Sequence, residues 1–255
     1  MRSPLLALSA AVVILTAALT GCTSVDAGPV VSENRTVTDV RAVVLDTSGD
    51  LTVTRGEVPS LKVIAGARII DQLTADIDDG VLRLGMEGAS PLRTGVIRYE
   101  LTVSTLASLT VRGSGDASAD FAGADDVSIS VRGSGDVEVT GIDTGAAMLI
   151  IDGSGEITIQ DVRVDTLTVR LDGSGAVTID GDAQTQDVEI NGDGDYEAGD
   201  LRSADAVVTI RGAGDAAITA SRALDARIDG SGSISYDGDA QVEKQITGSG
   251  DIIRL

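Results

Sequence analysis

The 255-residue sequence has no histidine, no tryptophan, one cysteine, one phenylalanine and three tyrosines. Without histidine the chain lacks the usual general base at neutral pH and the commonest transition-metal ligand. Ser-His and Cys-His nucleophile pairs are therefore excluded. The single cysteine, Cys22, rules out an intramolecular disulfide and every multi-cysteine zinc or iron–sulfur site. Positive charge is scarce as well: 19 basic residues face 40 acidic ones, a formal net charge of −21. Such a chain repels nucleic acid and other polyanions. What it has is aliphatic residues, with 42% of the chain hydrophobic and only 2% aromatic. A core is therefore affordable in area, and Val, Ile, Leu and Ala must build it.

The first 21 residues read as a bacterial export signal: Arg2, an apolar run from Leu5 to Leu19, then Leu19-Thr20-Gly21-Cys22. The tetrapeptide resembles a lipobox, in which the cysteine receives lipid and the leader is removed. An uncleaved anchor helix is the alternative, and either reading places the rest of the chain outside the cytoplasmic membrane. The expected organisation is a signal peptide over 1–21, a lipidated N-terminus and flexible tether over 22–35, and one domain over 36–255.

That domain is written in a repeat. A Gly-x-Gly element starts at Gly113, Gly133, Gly153, Gly173, Gly192, Gly212, Gly230 and Gly248, at intervals of 18 to 20 residues. Fixed periods of this length indicate a solenoid. Apolar residues alternate on both sides of each glycine pair, as in Leu149-x-Ile151 before Gly153 and Ile157-x-Ile159 after it. Period-two alternation rich in β-branched residues means strands with one buried face. Roughly 20 residues leave no room for a crossover helix. The expected fold is all-β, a single-stranded parallel β-helix with coils of about 20 residues, successive coils pairing about 4.8 Å apart. Regular coils should fill 109–255. Residues 36–108 should form irregular opening coils or a cap, with a degenerate corner at Ser48-Gly49-Asp50. Lys244 and Arg254 interrupt two apolar columns, as suits a coil with no neighbour beyond it.

The Gly-Ser-Gly-Asp corners with flanking Val and Ile, and the stretch from Gly230 to Asp239 followed by Gly248-Ser-Gly-Asp251, resemble the head GIN domain of the autotransporter adhesin head family. The resemblance covers roughly residues 36–255. It implies an exported, often lipid-anchored β-helix with an adhesin label and no catalytic residues to carry over.

The residue after each second glycine is usually acidic, and Asp116, Asp136 and Glu156 should stack as a ladder. A solvated structural face is the preferred reading and a weak calcium or magnesium site the alternative. Calcium-binding glycine-rich solenoids place a residue between the second glycine and the aspartate, whereas here the aspartate follows directly. The residues before the glycines, among them Arg112, Arg132, Asp152 and Asp172, mix both signs and read as a solvated rim. Arg132 with Asp152 and Arg211 with Asp229 are the expected cross-coil ion pairs. Catalysis on a polysaccharide is disfavoured: the even spacing leaves no insertion to enclose a substrate, and Tyr196 and Tyr236 fall in inward columns. The sequence thus predicts a non-catalytic, lipid-anchored cell-envelope protein with no required cofactor, presenting an acidic surface for adhesion or assembly. Its expected partners are the membrane through the anchor and an envelope or host-surface protein or glycan. A cation- or glycan-binding envelope protein is the alternative.

Overall fold

The computed structural model describes residues 27–88, 95–121 and 123–255. The leader and Cys22 lie outside the described residues. The described strands run in order β1 (Val30–Arg35), β2 (Ala42–Leu45), β3 (Asp50–Arg55), β4 (Ser60–Gly66), β5 (Leu73–Asp78), β6 (Val81–Met86) and β7 (Ile97–Val103). Then follow β8 (Ser108–Val111), β9 (Ala117–Ala119), β10 (Asp126–Val131), β11 (Val137–Gly153), β12 (Glu156–Gly173) and β13 (Ala176–Gly192). The chain continues through β14 (Asp195–Gly212), β15 (Asp215–Gly230), β16 (Ser233–Asp237), β17 (Gln241–Gly248) and β18 (Asp251–Arg254). From β8 onward every strand pairing is parallel, each coil lying on its predecessor. This is the expected β-helix.

Each regular coil has three sides. β11 meets β12 in three blocks: Val137–Thr140 on Ile157–Gln160, Ile142–Thr144 on Val162–Val164, and Ala146–Gly153 on Thr166–Gly173. We call these the first, second and third sides, counted from the glycine corner. Alternation points every second residue inward, and period-matched coils put like residues above like. Leu109, Ile129, Leu149, Val169, Val188, Val208 and Ala226 form one such column, none more than 1% exposed. Burying each larger aliphatic side chain contributes about 1.5–3 kcal/mol before conformational entropy is charged against it.

The interior holds one polar chain. The Tyr196 hydroxyl donates to Gln186 Oε1 (3.0 Å), Gln186 Nε2 donates to Ser203 Oγ (2.8 Å), and Ser203 Oγ donates to the Thr219 carbonyl (2.8 Å). All three side chains are buried, and burial pushes the Tyr196 phenol far above its ordinary range. Tyr196 and Gln186 each stand above an alanine of the following coil, Ala216 and Ala206, which leaves room for their bulk.

The opening layers are stacked out of chain order. β2 lies between β6 and β8, and β3 between β7 and β9. The excursion through β4–β7 thus builds a layer on the far side of the first coil before the chain returns to continue the rod. That far end is closed by antiparallel strands: β5 on β6, β4 on β7, and β1 on β4. Thr47-Ser48-Gly49 occupies the corner next to Gly113-Ser114-Gly115, so the degenerate corner falls where the sequence placed it.

One boundary needs correction. Residues 30–35, expected to be tether, form β1. This strand sits at the sheet edge with every residue exposed or half-buried, so no apolar alternation marks it in the sequence. At the opposite end Lys244 replaces an aliphatic in the Ala226 column. Its Nζ lies 4.8 Å from the Tyr236 ring centroid and donates to the Ile252 carbonyl (3.0 Å). Arg254 donates to the Gly238 carbonyl (2.7 Å) and pairs with Asp239 (3.0 Å).

Candidate functional surface

The glycine corner is built by close approach between coils. A Cβ on Gly155 would stand 2.2 Å from the Gly135 carbonyl oxygen, and one on Gly153 would stand 2.3 Å from that of Gly133. Gly153 also has φ +147°, a region L side chains rarely adopt. Carbonyls of one coil therefore fill the space where side chains of the next would begin.

The acidic ladder is tied to that corner. Asp116 Oδ1 accepts the Asp136 N–H (3.0 Å) and Asp136 Oδ1 accepts the Glu156 N–H (2.9 Å). Asp215 Oδ1 does the same for Ser233 (2.9 Å). Glu156 is one methylene longer and instead accepts from the Thr158 hydroxyl (3.1 Å). The amide above Glu156, that of Ala176, goes to the Gly155 carbonyl (3.2 Å). Asp116, Asp136 and Asp215 thus cap the next coil's backbone, whereas the Asp215 amide above Asp195 goes to the Gly194 carbonyl (3.2 Å). Among the described residues no three acidic side chains converge as metal ligands would.

The rim before the glycines pairs differently from expectation. Arg211 bonds Glu189 and Asn191 rather than Asp229. Arg132 and Arg112 make no ion pair among the described residues. Arg170 reaches Asp172 (Nε–Oδ2 2.7 Å) and Glu189 (3.2 Å). The Arg170 guanidinium, helped by the Asn191 amide at 2.9 Å, holds Asp172 below the usual carboxylate range. A depressed folded-state value means stability present above the unfolded value and lost as pH falls through the folded one. Arg170→Ala should therefore lower the urea midpoint at neutral pH, and only slightly, because so exposed a pair is screened by solvent. That difference from the parent should vanish progressively as pH drops below the ordinary carboxylate range.

Sequence reading missed the second side altogether. Asp143, Arg163, Asp182 and Arg202 stack there in alternating sign. Arg202 holds Asp182 through two bonds of 2.9 Å, and Arg163 reaches Asp161 at 2.8 Å. They border an open groove of about 730 Å³. Asp143, Arg163 and Arg202 stand ten residues after Gly133, Gly153 and Gly192, but Asp182 stands nine after Gly173, where a 19-residue interval shifts the count.

A three-sided parallel rod with glycine corners is what the comparisons match. The family model described as "putative auto-transporter adhesin, head GIN domain" fits residues 40–240. The chain belongs to that family. Among curated proteins none matches this head GIN domain. Solved structures do. A putative lipid-binding protein from Parabacteroides distasonis is 25% identical with TM-score 0.82, the match covering 89% of this chain and 97% of that one. A putative adhesin from the same organism is 23% identical with TM-score 0.83, covering 89% and 98%. A putative adhesin from Parabacteroides merdae is 23% identical with TM-score 0.82, covering 89% and 97%. These likenesses establish the shared fold, and the names describe adhesins or binding proteins rather than enzymes. In this head GIN domain no described helix is long and apolar enough to cross a membrane.

Proposed function

We propose that this chain is a non-catalytic, lipid-anchored protein of the bacterial cell envelope, held by Cys22 and presenting an acidic β-helical surface for adhesion or assembly. The observation that carries this reading is the polarity of the rod. Residues 27–112, which contain the antiparallel cap and receive the tether through β1, hold 11 acidic against 9 basic residues. Residues 113–255, the coils that extend away from that end, hold 28 against 9. Charge is concentrated where the rod is farthest from its attachment. No coil there carries an insertion that would enclose a substrate, and the ladder carboxylates of Asp116 and Asp136 serve backbone amides, which favours display over catalysis or cation storage.

The test uses the full chain in a bacterial host. The parent should partition with membranes and carry acyl chains, and Cys22→Ser should do neither. Cells displaying the parent should adhere to envelope or host-surface material in the presence of chelator, and should detach near 1 M salt, where charges are screened within about 3 Å. Adhesion abolished by chelator, together with a melting temperature raised by millimolar calcium, would transfer the ladder to the cation-binding reading. Membrane partition of Cys22→Ser equal to the parent would remove the lipid anchor.

A further inference from the structure

The two ends of the rod are finished differently. Antiparallel strands close the end that receives the tether. At the other end the last coil lies bare: of the described strands only β15 pairs with β17, and only β16 with β18. A row of backbone groups therefore faces outward along the rod, the kind of edge onto which another chain can pair. The interior is open there as well. Ile246 stands on Ile228 and is 45% exposed, against 2% for the residue beneath it. Val242, on Leu224, is half-buried. Between these two aliphatics the inward column carries Lys244. Both partners of its ammonium are uncharged, the Ile252 carbonyl and the Tyr236 ring. Arg254 closes the first side in a similar way, standing over Tyr236 and bonding the Gly238 carbonyl and Asp239.

We propose that Lys244 is a guard residue, which keeps this open tip from pairing edge to edge with the tip of a second copy. Two tips that meet end-on are related by a two-fold axis perpendicular to the rod, so β17 runs antiparallel to its copy. Residues that face each other must then point to the same side of the sheet, so their numbers differ by an even count. Three such registers centre on the strand. One lays Glu243 on the second copy's Glu243, two carboxylates face to face. Another, centred on Gln245, sets Val242 against Gly248 and Lys244 against Ile246. Only the register between them matches Val242 with the second copy's Ile246, twice. That same register lays Lys244 directly on the second copy's Lys244. The pairing that apolar contact and backbone bonding favour is thus the one in which two ammonium groups would be desolvated against each other. Because the tips point away from the tethered ends, pairing of this kind would join rods standing on two facing membranes rather than on one.

The test uses the full chain in detergent by sedimentation equilibrium, with circular dichroism confirming the fold of each variant. The parent should not associate through its tip. Lys244→Val should associate at least about 100-fold more tightly than the parent, since like charges set opposite each other cost several kcal/mol in an interface. Lys244→Glu loses the same Tyr236 and Ile252 contacts but keeps a like charge on the axis, and should behave as the parent does. Lys244→Val/Ile246→Lys puts a charge opposite Val242 twice and should also return to the parent. In vesicles of phosphatidylcholine the parent should stay dispersed and Lys244→Val should clump, because many weak junctions add between two surfaces. A folded Lys244→Val no tighter than the parent in sedimentation would overturn the proposal. So would Lys244→Glu associating as Lys244→Val does, since loosening and not charge would then be responsible. A parent that associates and loses that association in Ile246→Lys would show the tip unguarded. The inference does not rest on the adhesive reading, which is judged by adhesion and salt, and failure of the lipid anchor would silence the vesicles while leaving sedimentation to decide.

Discussion

Gly155→Ala should destabilise the protein by about 3–5 kcal/mol, enough to cost a domain of ordinary stability most of its folded population. The added methyl would lie 2.2 Å from the Gly135 carbonyl oxygen and 2.8 Å from Val131 Cγ1. Neither neighbour can retreat. Gly135 is itself seated on Gly115, where a Cβ would meet the carbonyl oxygen at 2.1 Å, so relief at one corner becomes a clash at the next. Gly199 provides the contrast. A Cβ there meets nothing within 4 Å and no left-handed φ is involved, so Gly199→Ala should be neutral or stabilising by up to about 1 kcal/mol, through the unfolded chain. Urea midpoints at unchanged m-value distinguish the two. Equal effects at both positions would mean that the corner glycines serve turning alone and not stacking.

Gln186→Leu should cost about 2–4 kcal/mol although it introduces a larger apolar contact into an apolar interior. Its removal strands the Tyr196 hydroxyl, buried and 1% exposed at the residue level, and a buried donor without a partner costs about 1–3 kcal/mol. The leucine must also fit a space shaped for an amide. Tyr196→Phe in the Gln186→Leu background should recover most of the loss. Ser203 keeps its bond to the Thr219 carbonyl (2.8 Å), so the double variant leaves no unpaired donor. The double-mutant cycle should therefore show a coupling of about 1–3 kcal/mol. Additive losses would deny that the three side chains act as one unit.

The legible part of this molecule is the part made of repetition. Columns such as Leu149 on Val169, and corners such as Gly153 on Gly173, follow from a period that the sequence states eight times. A parallel coil has one way to place identical neighbours. Where the period lapses, local pattern stops specifying partners. The stretch Val81-Leu82-Arg83-Leu84 announces a strand, yet nothing in it says that it pairs with β2, forty residues earlier, as well as with the strand before it. β1 is invisible because an edge strand exposed on both faces needs no alternation. The acids were found and their task was not: that Asp136 caps the Glu156 amide depends on a distance across coils, and a residue type does not carry it. The second-side row of Asp143, Arg163, Asp182 and Arg202 was lost to one residue of slippage.

The interleaved opening layers set the order of events at birth. β2 and β3 are the earliest parallel strands to leave the ribosome, but each finds its neighbours only in β6 and β8, or in β7 and β9. Until about residue 119 has emerged, the first coil has a template on one flank at most. Growth thereafter is nearest-neighbour accretion, each newly made coil finding a finished surface already waiting. Synthesis should thus show a long silent lag followed by stepwise acquisition of protease resistance, one increment per coil.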